Sequence, residues 1–446
     1  MNKDDFYNKK EEEEYLYVSD DEDEFTEQQD NNLLFKHLLD LNEIAGFLLL
    51  DRTYGRKGKK LLYKVQPYNR SYPCLLIPFE NKIEFSKEVL NKYILFKYDN
   101  FNNKPITGLL VRNLGNVNCL QSYYLYEMYG KNIKNYNNIM NKELKIAMSN
   151  ETYLSIYHSF ETLDNEYIFS IDNENTEYYD DAISIKKFDN KKIVNVYISN
   201  VAILIDEFNL WDFICDITST VYLPNHRDDM LPFNLIKMLS LKENSQKIVI
   251  RIEYTINETI DVKYYISIIE VNKNYVYDSN ELKNNSYYKD LLQVTKEMDP
   301  SVENSMDVIK YWMVLTNSKI GELFCEKKIG IHKYNIDYDD PNYEEIKKDY
   351  NYYNINYQVK YAQITSPIRR KVDIYNQMLL MDKILNYEFK KSIDYNKLLY
   401  DNIDVWSDKM KSISRISNMC KLLENFDDNN YILIMKGEKK RLRIKG

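Results

Sequence analysis

The sequence has 446 residues, with 60 Lys+Arg against 69 Asp+Glu, 44% hydrophobic residues and only 10 Gly and 9 Pro. A chain of this length can build two or three domains with real cores; so little Gly and Pro excludes collagenous and Pro-rich scaffolds, and no apolar run approaches the roughly 18 residues that span a bilayer. The five cysteines are scattered, without a C-x-x-C pair or a His at zinc spacing, and the N-terminus is acidic where a signal peptide would be basic and then apolar. These features predict reduced thiols in an intracellular, cytoplasmic protein with no membrane partner.

The net charge of -9 looks wrong for a nucleic-acid binder until it is divided along the chain. Residues 1–30 hold 13 Asp/Glu against 3 Lys, a net of -10, which leaves +1 for residues 31–446. A run such as Glu11–Glu14 followed by Asp20–Glu24 repels itself and buries nothing, so disorder is expected there. The 42 tyrosines accompany dense Asn, Lys and Ile, the pattern that AT-rich codons produce, so a tyrosine alone says little about base stacking.

Residues 32–41 read as a short helix. From Ala45 the pattern changes to short apolar or alternating runs, Gly46–Asp51, Lys60–Val65, Cys74–Pro78, Tyr93–Tyr98 and Gly108–Arg112, separated by polar or turn-forming stretches. Five short strands in about 70 residues suggest a small barrel, of which the oligonucleotide-binding kind is common. Residues 120–160 look helical. Strands are expected again over Tyr167–Asp172, Ala182–Phe188 and Lys192–Ser199, with a turn at Asp189-Asn190, and over 248–270 with a turn near Asn257-Glu258. Met306–Lys327 and Ile374–Leu385 carry apolar residues at helical spacing. Strands grouped early and helices late predict an α+β domain.

Three segments stand out chemically. Asp172 ends an apolar strand and is followed by Asp180-Asp181, which places carboxylates where a loop can converge on a hard divalent cation; the ordinary alternative is a solvated acidic loop. Thr365-Ser366-Pro367-Ile368-Arg369-Arg370 reads as a capped helix start whose amides and two arginines, with Ser366, suit a phosphate. The ordinary alternative there is a capped helix with surface arginines. Tyr222-Leu223-Pro224 followed by Met230-Leu231-Pro232 reads as a loop carrying an aromatic residue.

Together and in this order, these segments resemble the ribonuclease II/R family, the exoribonucleases built on the RNB domain. The resemblance extends over roughly residues 60–390 and takes in Gly108–Gly115, Ser170–Ala182, Tyr275-Val276-Tyr277-Asp278, Lys310–His332 and Tyr361–Leu380. It implies 3′→5′ hydrolysis of single-stranded RNA to nucleoside 5′-monophosphates with Mg²⁺, or Mn²⁺ in its place. Asp172, Asp180 and Asp181 would hold metal, and Arg369 would stabilise charge on the phosphate. Tyr222, Tyr277, Ser366 and Arg370 would contact RNA. The implied organisation is an acidic tail (1–31), a cold-shock/OB-like β-barrel (32–118), a helical connector (119–160), a shortened RNB catalytic domain (161–400) and a helical C-terminal segment with a basic tail (401–446).

The sequence also departs from the family pattern. The second aspartate position of the loop is Tyr178, a poor Mg²⁺ ligand, so Tyr178→Asp is expected to restore a missing charge. Lys310-Tyr311, Gln363 and Lys371 replace other family residues, and the C-terminal RNA-binding barrel is absent or cut to a remnant over Tyr431–Lys445. Two readings follow: a minimal exoribonuclease with a weakened metal site, or a pseudo-nuclease that binds RNA or a partner without hydrolysis.

Overall fold

The computed structural model describes residues 34–80, 90–101, 105–133, 137–149, 152–188, 191–214, 218–223, 226–333, 353–354, 360–390, 403–427, 432–434 and 441–443. The acidic tail, the 189–190 turn and the basic run at 436–440 lie outside them. The chain divides into two compact units, one running through Gly130 and one from Lys131.

The first unit is a closed barrel of β1 (Ile44–Lys57), β2 (Lys60–Pro67), β3 (Leu75–Phe79), β4 (Lys92–Asn100) and β5 (Thr107–Asn116), in the order β1-β2-β3-β5-β4. Each expected strand is present, and all but β3 are longer than their apolar runs. Closure is possible because β1 pairs antiparallel with both β2 and β4, which leaves neither of its edges open. Leu48, Val65, Ile77, Ile94 and Phe96 fill the interior, and a helix over residues 34–40 adds Leu38 to that core.

In the second unit, helix Asn137–Met148 and a 3-10 turn, Thr152–His158, lead into the strands. These are β6 (Glu161–Thr162), β7 (Phe169–Asp172), β8 (Asp181–Phe188), β9 (Lys191–Ser199), the hairpin of β10 (Val221–Leu223) and β11 (His226–Asp228), then β12 (Gln246–Ile256), β13 (Ile260–Glu270) and β14 (Lys273–Val276). Seven of them form one sheet in the order β14-β7-β8-β9-β12-β13-β6. From Val194 to Ser199 every residue of β9 is buried, so the sheet is covered on both faces. The Tyr222 segment is thus a two-stranded hairpin and not the loop that the sequence suggested, because Val221–Leu223 pairs antiparallel with His226–Asp228.

The long helix Ser305–Lys327 starts at a capping box, in which the Asn304 side chain accepts from Asp307 N and Asp307 accepts from the Asn304 backbone. It ends on Lys328, whose φ of 54° is left-handed. Its Thr316 hydroxyl meets the Tyr254 hydroxyl of β12 at 2.8 Å. At Gly321 a Cβ would stand 2.3 Å from Tyr361 N, so only glycine lets the segment leading to the arginines pass so close. The helix that follows those arginines, Lys371–Lys383, is buried all round from Lys371 to Met381. Its polar residues are satisfied inside: Asn376 bridges Ile331 and Gln363, and Gln377 bonds Ser199 O and Val201 N. Lys371 itself is buried beneath Trp406 of the helix Ile403–Asp427, its ammonium 4.1 Å from the ring centroid. Near the C-terminus Ile432–Ile434 pairs with Arg441–Arg443 as a short ribbon. Among the described residues no helix is long and apolar enough to cross a membrane.

Candidate active site

All eight residues singled out in the sequence, Asp172, Asp180, Asp181, Tyr222, Tyr277, Ser366, Arg369 and Arg370, line one cavity of about 570 Å³ in the second unit. Four elements deliver them, Tyr222 coming from the β10–β11 hairpin. The aspartates flank the loop from β7 to β8, which is anchored behind by Tyr179 N to Ser240 Oγ (3.0 Å) and Leu241 N to Tyr179 O (2.9 Å). Tyr277 follows β14, whose parallel pairing with β7 ends on Val276 opposite Asp172; Tyr277 N donates to Asp172 O at 2.9 Å. The arginines sit in a turn that Asn317 of the long helix orients, bonding Ile364 N at 2.9 Å and Thr365 Oγ1 at 3.2 Å. The sequence reading missed Asn317; the signal was an Asn one turn before a Gly on an otherwise apolar face.

The arginine turn differs from the expected helix start. Helix Lys371–Lys383 begins after Arg370, which makes no side-chain cap, and Pro367-Ile368-Arg369 form a turn ahead of it, closed by Arg370 N donating to Ser366 O at 3.1 Å. The amides there are already used: Ser366 N donates to Asp373 Oδ1 (2.8 Å) and Ile368 N to Asp180 Oδ1 (2.9 Å). Arg370 is also committed inside, to Asp373 at 2.7 Å, so the amide clamp suggested by the sequence is replaced by protein carboxylates. Arg369 is different. Its Nε meets Asp180 Oδ2 at 3.1 Å and its Nη2 donates to Ser366 Oγ at 2.8 Å, while 46% of the side chain remains exposed to the cavity. Two strong fixings with an open face make a guanidinium that is oriented before anything binds.

The aspartates divide accordingly. Both oxygens of buried Asp180 are engaged, one by Ile368 and one by Arg369. Burial pushes its carboxyl up, against the lowering effect of Arg369 and Ile368. Asp172 is pushed up to about 7, first by burial and then by the charge of Asp180, with Ser170 and Arg369 opposing. Asp181 is raised well above its ordinary value by burial, then by Asp172 and Asp180. Two carboxylates held against each other with too few donors are the environment that a cation relieves. Among the described residues no three His, Cys, Asp or Glu side chains gather closely enough to hold a metal by themselves. Mg²⁺ suits the smaller set, since it binds through one or two carboxylates with substrate phosphate and water completing the shell. Tyr178 lines the same cavity but turns to Arg227 and Asp229, neither of which the sequence reading picked out.

Comparison with known proteins bears on the fold that carries this cavity. Residues 160–290 match the RNB domain model. Over those residues the chain is similar to the RNB domain on which the ribonuclease II/R family is built. The chain is 26% identical over 186 residues to ribonuclease R of Mycoplasmopsis pulmonis, a match spanning 41% of this chain and 25% of that relative's length. The fold is similar to Mycoplasma genitalium RNase R solved with ribose-methylated single-stranded RNA, with a TM-score of 0.63, 18% identity, and coverage of 86% of this chain and 75% of the other. Yeast Ssd1, a pseudonuclease, is also similar, with a TM-score of 0.53, 13% identity, and coverage of 88% and 61%. The RNB fold thus serves both a ribonuclease and a pseudonuclease among these neighbours, and the activity of this RNB domain has to be argued from its own residues.

Proposed function

We propose that the cavity hydrolyses single-stranded RNA from its 3′ end to nucleoside 5′-monophosphates, with Mg²⁺ or Mn²⁺ held by Asp172 and Asp181. The observation that supports this is convergence: Asp180 and Arg369, 189 residues apart in sequence, form an ion pair beside two further carboxylates in one cavity. A divalent ion bound there supplies charge for the phosphate oxygens and lowers the pKa of a water. The chain's own residues do the rest. Arg369, fixed by Asp180 and Ser366, offers its remaining donors to the phosphate as negative charge builds. The Tyr277 hydroxyl is held protonated by burial and by Asp181 and Asp172, so it donates rather than carries charge. Tyr222, exposed on its hairpin, offers a ring to an unpaired base.

The position of Tyr178 favours a second reading, RNA binding without hydrolysis, since its ring faces a guanidinium and adds no carboxylate to the site. Incubation of the purified protein with 5′-labelled single-stranded RNA and Mg²⁺ or Mn²⁺ separates the two. A ladder shortening from the 3′ end is expected; bound but intact RNA would leave the second reading, and RNA neither bound nor cut would remove both.

A further inference from the structure

Tyr178 is the centre of a cluster that joins two parts of the cavity wall. Its ring lies under the Arg227 guanidinium, 4.3 Å from carbon to centroid, and its hydroxyl donates to Asp229 Oδ2 at 3.4 Å. Arg227 Nη2 meets Glu177 Oε2 at 2.6 Å and its Nε meets Asp229 Oδ1 at 2.7 Å. Glu177 and Tyr178 belong to the aspartate loop, whereas Arg227 lies on β11 and Asp229 just beyond it. The planar cation is therefore stacked on one residue, hydrogen-bonded to Glu177 and ion-paired with Asp229, a geometry that a lysine or a lone ion pair does not reproduce.

The cluster matters for what stands beside it. In the hairpin register Tyr222 is directly opposite Arg227. A two-stranded ribbon is marginal on its own and needs outside support. One attachment comes from the arginine turn, through Thr220 N to Arg369 O at 3.0 Å and Ser219 Oγ to Arg369 O at 2.8 Å. The Arg227 cluster is an attachment at the other strand, to the loop that carries the aspartates.

We propose that Tyr178, Arg227 and Asp229 form a latch that positions Tyr222 for stacking on a base of single-stranded RNA, and that Tyr178 is kept as the platform of that latch. This rests on the RNA reading of the cavity. The three are positioning residues: they act through Tyr222 and touch no reacting atom. The consequence reverses the expectation drawn from the loop sequence. Tyr178→Asp removes the platform and sets a further carboxylate beside Glu177 and Asp229, so it should loosen RNA binding instead of repairing the site.

The test uses the full chain in EDTA, so that no RNA is cut, with a single-stranded RNA carrying 2-aminopurine as its 3′-terminal base. Affinity and fluorescence quenching at saturation are read together, and Tyr222→Leu sets the level without stacking. Wild type should quench. Arg227→Gln, Tyr178→Leu and Tyr178→Asp should lose most of the quench and bind about 5- to 10-fold more weakly. Tyr178→Phe should keep most of the quench because the ring remains, and the double variant Tyr178→Leu/Arg227→Gln should be no weaker than its weaker parent. General damage to the fold would lower the melting temperature and the active fraction yet leave quenching of the bound complex unchanged. Wild-type affinity and quench in Arg227→Gln and Tyr178→Leu, or additive losses in the double variant, would overturn the latch. Wild type that binds no RNA would overturn the RNA reading itself and the latch with it.

Discussion

Two groups of carboxylates in the same sheet region receive opposite treatment. Glu166 is nearly fully buried, yet its carboxyl lies below the ordinary value. Burial alone would raise it, but hydrogen bonds from Lys186 Nζ (2.9 Å), Tyr197 OH (2.6 Å) and Ser184 Oγ (2.8 Å) outweigh that cost. Asp172 and Asp181 are also withdrawn from water, and their carboxyls are raised first by that burial and then by acidic neighbours, with few donors to offset either. A carboxylate that serves the fold is given its partners by the fold. One left in repulsion within a cavity waits for a ligand, and that contrast, more than the mere presence of aspartates, marks the site.

The contrast can be broken at several points. Asp181→Asn should have the largest effect on RNA shortening, a loss of about 10³-fold or more, since it halves the carboxylate pair that would hold the cation. The same change removes a repulsion, so a thermal melt without divalent ions should show it no less stable than wild type. Arg369→Ala should cost about 10²-fold in cleavage. Unlike Asp181→Asn it should also destabilise, by about 1–2 kcal/mol in urea unfolding, because buried Asp180 keeps only the Ile368 amide. Glu166→Gln should do the reverse of Asp181→Asn: a loss of about 1–3 kcal/mol of stability with cleavage per folded molecule unchanged. The sign of its pH dependence follows from the lowered carboxyl. Its contribution is fully present above the ordinary carboxylate range and disappears as pH falls through the lowered folded value, so wild type and Glu166→Gln should converge in stability in acid. The smallest effect concerns residues 1–30. Deleting a net charge of -10 should leave RNA binding at least as tight, and binding by either form should weaken as salt rises, as filter binding can show.

The fold was legible where periodicity is local. All five barrel strands appear where short apolar runs sit between polar breaks, and the helix Ser305–Lys327 follows its apolar spacing. The candidate site was legible as a set of residues, because aspartates at a strand end and a paired arginine are patterns of residue type. What escaped was partnership. Sequence does not say that Asp180 would spend both oxygens on Ile368 and Arg369, or that the Ser366 amide would turn to Asp373, since both depend on contacts across a long separation. The hairpin around Tyr222 was missed because three-residue strands carry too few positions to show alternation. Arg227 and Asp229 were passed over for the same reason. Lys371 was noted only as standing in place of another family residue, and its burial beneath Trp406 is a contact that the sequence does not show.

The most direct measurement of the central claim, that Asp172 and Asp181 form a cation site facing Arg369, is the melting temperature of wild type, Asp181→Asn and Glu166→Gln with and without millimolar Mg²⁺ or Mn²⁺. Binding to the folded state alone raises stability by mass action. The account predicts that the ion raises the melting temperature of wild type and, by the same increment, of the less stable Glu166→Gln, while Asp181→Asn does not respond. An equal rise in all three proteins, or none in wild type, would contradict it.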